Sequence, residues 1–302
     1  MANVKFMELF GRLKSVVIGM IHVKALPGTP LGCMTMSQIV DEACREATIY
    51  RDSGIDAIMV ENMHDVPYSL SLGPEVVACM TAVCSGVRSV CPSLPLGVQI
   101  LSSANQQALA VALASGLDFI RAEGFVFSHV ADEGLLDACA GDLLRYRKNI
   151  GADRVLIFTD IKKKHSSHAL TSDSEHRGDG TRMPSSSSLM GSSSQEQRLE
   201  SRLTPRSSEK VGYRERGFGL KNLYLNPGGP VDFCRSVEAV SQSVRIPVLI
   251  GSGVTHDNLE RYVDANGMII GSHFKEGGHW ANAVAPQRVK SLMEKRNSLQ
   301  HQ

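Results

Sequence analysis

The chain has 302 residues, 42% of them hydrophobic, enough to bury the core of one large domain or of two ordinary ones. A formal net charge of +1 excludes the strong single-sign field on which nucleic-acid partners depend. No apolar run is both long enough and free enough of charge to span a bilayer, so no membrane partner is expected.

The first residues, MANVKFMELFGRLKS, are mildly amphipathic and lack the apolar core of a secretory signal. Glu8 and the shortage of Ser speak against a mitochondrial presequence, which places the cytoplasm ahead of the mitochondrial matrix as the expected address. Short apolar runs then alternate with amphipathic stretches, the pattern of repeated βα units around a parallel sheet. VVIGMI (16–21) pairs with a helix over 37–53, where Ile39, Ala43, Ala47 and Tyr50 recur at helical spacing. DAIMVEN (56–62) pairs with a helix over 74–90, whose proline suits the first turn. PLGVQIL (95–101) precedes a helix over 105–116, and LDFIRAEG (117–124) precedes one over 135–149. The fifth strand is RVLIFTDI (154–161).

The rhythm then breaks. Residues 173–217 are rich in Ser, Arg and Gly, carry few apolar side chains and show no period, so they are expected to form a disordered low-complexity insertion. It resumes with LKNLYLN (220–226), a weak strand because Lys221 and Asn222 are poor strand formers, and a helix over 231–242. IPVLIG (246–251) with a helix over 257–265, and GMIIGS (267–272) with one over 286–295, complete eight units. The expected fold is an α/β single domain over 1–302, a (β/α)8 TIM barrel of parallel strands, irregular or incomplete at units five and six. Seven cysteines, an odd number with no Cys-x-x-Cys pair, are expected as reduced thiols, most of them apolar fillers in helices.

In such a barrel the loops after the strands share one face, so polar residues at strand ends converge. They are His22 and Lys24, Glu61, Asn62 and Asp65, Gln99, Arg121 and Glu123, and Asp160 with Lys162. Asp160 shares a pleat face with Phe158 and Lys162, and Glu61 supplies a second carboxylate on another strand, so the two can act as an acid and a base. Either carboxylate can instead serve a structural ion pair, Glu61 with Arg121 or Lys162. His22, Glu61 and Asp160 have no spacing signature of a metal site, and neither a metal nor another cofactor is expected. The run KKKHSSH (162–168) is short enough to be a solvated loop, although Lys162 and His165 stand close to the strand end.

GSGVTHDN after strand seven and GSHFK after strand eight form a pair of glycine turns. Glycines at Gly251, Gly253 and Gly271 let backbone N–H groups approach an anion, and Ser252 and Ser272 add hydroxyls. A helix beginning at Thr255 or Asp257 would add the positive end of its dipole, giving a phosphate cup in the place where barrels commonly have one.

The stretches VIGMIHVKALPGTP, DAIMVENMHDVPY, GPEVVACMT, LGVQIL, DFIRAEG, PVLIGSGVT and IIGSHFK resemble the BtpA/SgcQ family of TIM-barrel proteins over nearly the whole chain outside the serine-rich block. The resemblance implies a barrel with His22, Glu61, Asn62, Asp160, Lys162 and His165 in its pocket and an anion cup at 251–253 and 271–272. It brings no settled reaction: the family is named for a role in photosystem I biogenesis, while other members resemble phosphate-binding barrel enzymes. The chain departs from the family pattern where a fifth helix and an apolar sixth strand should stand, and in RAEG after strand four. The expected activity is acid–base chemistry of the lyase, aldolase or isomerase kind on a small, sugar-phosphate-like phosphorylated metabolite, with Asp160 and Glu61 moving protons and Lys162 and His22 beside them. Asn62, Arg121, His165 and the two glycine turns would hold the substrate. The rivals are a non-catalytic assembly or stability factor and a non-productive isoform whose barrel is disrupted. A homo-oligomer is compatible with the sequence.

Overall fold

Runs of Val, Ile, Leu and Met too short for helices become strands buried on both faces, as parallel sheets covered by helices require. The computed structural model describes residues 2–160, 166–167, 220–223 and 246–300. Its strands are β1 (Val16–His22), β2 (Ala57–Glu61), β3 (Leu96–Gln99), β4 (Phe119–Ala122), β5 (Leu156–Asp160), β6 (Leu220–Leu223), β7 (Val248–Gly251) and β8 (Gly267–Ile270). Each lies parallel to its neighbours in sequence, and β8 returns to β1, so the ring is a closed barrel. β6 pairs with both β5 and β7 despite Lys221 and Asn222, because the two flanking backbones dictate the extended conformation. The expected insertion over 173–217 and the helix over 231–242 lie outside the described residues.

The outer layer contains α2 (Met36–Asp52), α3 (Pro74–Val90), α4 (Asn105–Ala114), α5 (Ala140–Asn149) and α6 (Pro286–Gln300), after α1 (Ala2–Phe10). α2 starts one residue ahead of expectation because Thr35 and Gln38 form a capping box, each side chain bonding the other's backbone N–H. Two expected helices are corrected. Over 135–149 only α5 is helical. The residues before it form an antiparallel hairpin, His129–Ala131 with Gly134–Leu136, because Gly134 at φ 113° reverses the chain. Over 257–265 a single 3-10 turn, Leu259–Arg261, replaces the helix. There the Asn258 amide takes the Thr255 N–H at 2.7 Å and donates to the Gly253 carbonyl at 2.8 Å, local bonds that compete with a helix start. Ser166–Ser167 pairs antiparallel with the hairpin strand His129–Ala131.

The core divides in two. Outward residues such as Val17, Ile58, Val98 and Ile250 pack beneath the helices. Inward residues Ile18, Met20, Met59, Phe119, Phe158, Leu249 and Ile269 fill the barrel, and α1 closes its lower mouth with Phe6 and Phe10. The ring of Phe10 meets Phe119 at 5.9 Å and Phe158 at 6.2 Å between centroids, tilted or edge-on as aromatic pairs prefer. Phe119 finds room because β3 has a glycine beside it: a Cβ on Gly97 would stand 2.1 Å from its ring. The six described cysteines form no disulfide among the described residues; Cys33 is exposed on a loop rather than filling a helix, whereas Cys84 is wholly buried and its thiol is pushed up to about 12 by that burial. Among the described residues no helix is long and apolar enough to cross a membrane.

Truncating the plug opens a cavity against the lower layer. Phe10→Ala is expected to lower unfolding free energy by about 3 kcal/mol, read by urea denaturation. A loss under about 1 kcal/mol would show that α1 contributes no core packing.

Candidate functional site

Above Met20, Met59 and Phe119 the next inward position on each strand is polar. His22, Glu61 and Gln99 stand in direct register on β1, β2 and β3, and Arg121 on β4 and Asp160 on β5 extend the layer. A cavity of about 570 Å³ opens above it at the C-terminal face of the barrel, with His22, Glu61, Gln99 and Arg121 on one side and Ser252, Gly253, Gly271 and Ser272 on the other. That volume is within the usual range for small-molecule sites.

Asp160 does not line the cavity. Both its oxygens accept from Arg121, Oδ1 from Nε at 2.8 Å and Oδ2 from Nη2 at 2.9 Å, in a fork with each side chain only 3% exposed. Arg121 does line it, so the pair presents a fixed guanidinium to whatever enters. Asn62 is also absent from the wall. Its amide clasps the Leu101 backbone, accepting from N–H at 2.8 Å and donating to the carbonyl at 3.3 Å, and donates to Asp65 at 2.9 Å. Glu123, on the wall, accepts from the Ser103 N–H at 2.8 Å. Lys162 and His165 lie outside the described residues.

His22 is buried with Nδ1 2.8 Å from the carbonyl oxygen of Trp280. A carbonyl can only accept, so Nδ1 carries the proton and Nε2 its lone pair. Burial, with the Lys275 ammonium next in weight, lowers the ring's pKa to about 3, so it is neutral at physiological pH. Gly271 leaves space for it: a Cβ there would lie 3.1 Å from both Cε1 and Nε2. Lys275 itself is buried against Glu46, 2.8 Å from each carboxylate oxygen. Burial moves the two in opposite directions, Glu46 up and Lys275 down, and their mutual attraction opposes both shifts.

The opposite wall is formed by the two glycine turns after β7 and β8. Ser252 adopts φ 75° and Gly253 φ 78°, two consecutive residues in the left-handed region. The Ser252 N–H is spent on the Ile269 carbonyl at 3.4 Å, whereas those of Gly253, Val254, Ser272 and His273 have no hydrogen-bond partner among the described residues, and all four residues line the cavity. Arg288, from the first turn of α6, also lines it and is held there by donating through Nε to the His273 carbonyl. These two turns therefore offer the cavity loop amides and the Arg288 guanidinium. The helix dipole expected from Thr255 or Asp257 is missing, because a three-residue 3-10 turn has no comparable dipole.

Thus His22, Glu61, Arg121, Ser252, Gly253, Gly271 and Ser272 meet at one cavity, and Asp160, Asn62 and Gly251 support it from behind. Arg288, Trp280, Tyr68 and Asn258 carry no sequence signal: the first three reach the wall from loops or a helix start, and the last acts only by bonding 253–255. Burial raises the pKa of the Tyr68 phenol, and the nearby carboxylates of Glu61, Glu133, Glu123 and Asp65 add to the shift. Among the described residues no group of three or more His, Cys, Asp or Glu could hold a metal ion.

A closed parallel barrel with its cavity at the C-terminal face places the chain among the TIM-barrel proteins. Solved barrels share its fold: the tryptophan synthase alpha chain of Legionella pneumophila (TM-score 0.55, 11% identity, 99% of this chain and 97% of that one) and 3-keto-L-gulonate-6-phosphate decarboxylase of Vibrio cholerae (TM-score 0.51, 11% identity, 95% and 99%). The BtpA family model matches residues 13–181 and 225–298, and the chain belongs to the BtpA family. Its relatives include the Caenorhabditis elegans protein F13E9.13, described as uncharacterized and mitochondrial, 39% identical over 97% of this chain and 96% of that protein. Another is the photosystem I biogenesis protein BtpA of Synechocystis, 29% identical over 95% and 91%.

The buried histidine predicts acid sensitivity. With its folded pKa at about 3, below the ordinary 6.5, His22 refuses a proton that the unfolded chain accepts between these values, so stability falls as pH drops through that window. His22→Asn, which keeps a donor to the Trp280 carbonyl, is expected to lose less stability between about pH 7 and about pH 4.5 than the native chain. Denaturant titrations at both pH values measure this; equal losses would contradict it.

Proposed function

We propose that the chain is an enzyme that binds a small phosphorylated metabolite and moves protons on it, in lyase, aldolase or isomerase chemistry. The observation that carries the reading is the set of four amides at Gly253, Val254, Ser272 and His273, without partners among the described residues, in the same cavity as Glu61. Backbone N–H groups without a protein partner at the wall of a cavity are ready donors, and a phosphate satisfies several at once with Arg288 as counter-charge. The Vibrio barrel is named for a 6-phosphate substrate, but that likeness carries the fold alone, and the substrate class rests on this chain's cup.

With phosphate in the cup, the rest of the ligand lies over His22, Glu61, Gln99 and Arg121. Glu61 is the proton-transfer group, placed on a rigid strand end and in register with both neighbours. Arg121 stabilises negative charge that develops on a substrate oxygen, and Asp160 acts through Arg121 by fixing its plane. Lys162 follows β5 by two residues and is assigned the same supporting charge. The proton shuttle thereby moves from the Asp160–Glu61 pair to Glu61, since both Asp160 oxygens are bonded to Arg121.

A thermal-shift screen of sugar phosphates against the native chain tests binding. A stabilising ligand is expected to lose about tenfold in affinity with Arg288→Gln, and to lose its effect with Ser252→Asp plus Ser272→Asp, which fill the cup with negative charge. Silence of the whole panel would favour an assembly factor without a working pocket. Once a turnover assay exists, Glu61→Gln is expected to lower kcat by roughly 10² to 10⁴, and unchanged kcat would remove Glu61 from the chemistry.

A further inference from the structure

The cup accounts for one end of a ligand, and the floor of the cavity specifies the other. Gln99 is 1% exposed, points into the barrel and lines the cavity, yet its Oε1 has no hydrogen-bond partner among the described residues. An amide oxygen so deeply buried is expected to be bonded, and the room for a partner lies on the cavity side, because Gly97 and Phe119 lie beneath it. Its neighbours in register offer the same polarity. His22 Nε2 holds a lone pair, since Nδ1 gives its proton to the Trp280 carbonyl. The carboxylate of Glu61, between the two, has acceptor capacity for several donors. Three acceptors thus stand on three adjacent strands, with β-strand spacing between them.

We infer that the non-phosphate end of the ligand is polyhydroxylated, with hydroxyl donors read by Gln99, Glu61 and His22, so that the substrate class is a sugar or polyol phosphate rather than an alkyl or aryl phosphate. The inference rests on the phosphate reading of the cup and adds a specificity residue, Gln99, to it. A site built to bond a hydroxyl rejects an analogue lacking it, because the buried acceptors are then left without partners. An apolar chain of the same length therefore fits the volume but not the floor.

Titration calorimetry on the full chain tests it with three probes: inorganic phosphate, ribitol 5-phosphate and pentyl phosphate, the last two matched in carbon count. The native chain is expected to bind the polyol phosphate at least about tenfold more tightly than the pentyl ester. Gln99→Met, similar in volume but unable to accept, is expected to lose about tenfold for the polyol phosphate while inorganic phosphate changes less than about twofold. Gln99→Glu keeps an acceptor and is expected to keep the preference. No preference in the native chain, or a preference untouched by Gln99→Met, overturns the polyol inference while the cup stands. Failure of the native chain to bind phosphate and either ester overturns the cup itself. The native comparison needs no variant, so it decides the matter even if Gln99→Met does not fold.

Discussion

Every feature of this protein follows from one constraint: in a closed ring of parallel strands, alternate side chains point into a single enclosed space. Two layers of that space have opposite character. The lower layer, Met20, Met59, Phe119, Phe158 and the Phe10 plug, excludes water and fixes the ring's diameter. The upper layer, His22, Glu61, Gln99, Arg121 and Asp160, begins one inward position later on the same strands. A one-residue slip of β2 would turn Glu61 into the helix layer and Val60 into the cavity, so the apolar packing below also sets the geometry of the chemistry above.

Two buried ion pairs then position the polar layer. Arg121–Asp160 and Lys275–Glu46 are each nearly withdrawn from water, a placement that contributes little net stability after desolvation but strongly penalises any arrangement that separates the partners. The Glu46 carboxylate also accepts the Val284 N–H at 3.2 Å, so α2 pins both ends of the 275–284 segment. That segment carries Trp280, whose carbonyl sets the proton of His22. A glutamate on the outer face of the barrel thereby governs the tautomer of a ring in its mouth.

Much of this architecture is legible in the chain itself. The eight apolar runs, the helix-initiating Pro74 and the paired glycine turns state the barrel and the loops that wall its cavity, since strand length, proline geometry and close backbone approach leave local marks. What the sequence hides depends on the third dimension. The carboxylate of Asp160 looks like a catalyst until Arg121 is seen to occupy both its oxygens. Asn62 looks like a ligand group until it is seen bonding Leu101. Arg288 belongs to the last helix and reaches the cup only because that helix packs beside the β8 loop. The helix expected after β7 fails because Asn258 bonds backbone groups in its own turn, a competition that apolar periodicity does not register. The strand at 220–223 runs the other way: its composition argues against a strand, and two neighbouring backbones make it one.

The central claim is that the loops after β7 and β8 hold a phosphate by their backbone amides. An amide-resolved NMR titration of the ¹⁵N-labelled chain with inorganic phosphate tests it directly. The resonances of Gly253, Val254, Ser272 and His273 are predicted to shift together along one saturable curve, while that of Ser252, bonded to the Ile269 carbonyl, moves less. Saturable shifts confined to other loops, or none at all, would contradict the account.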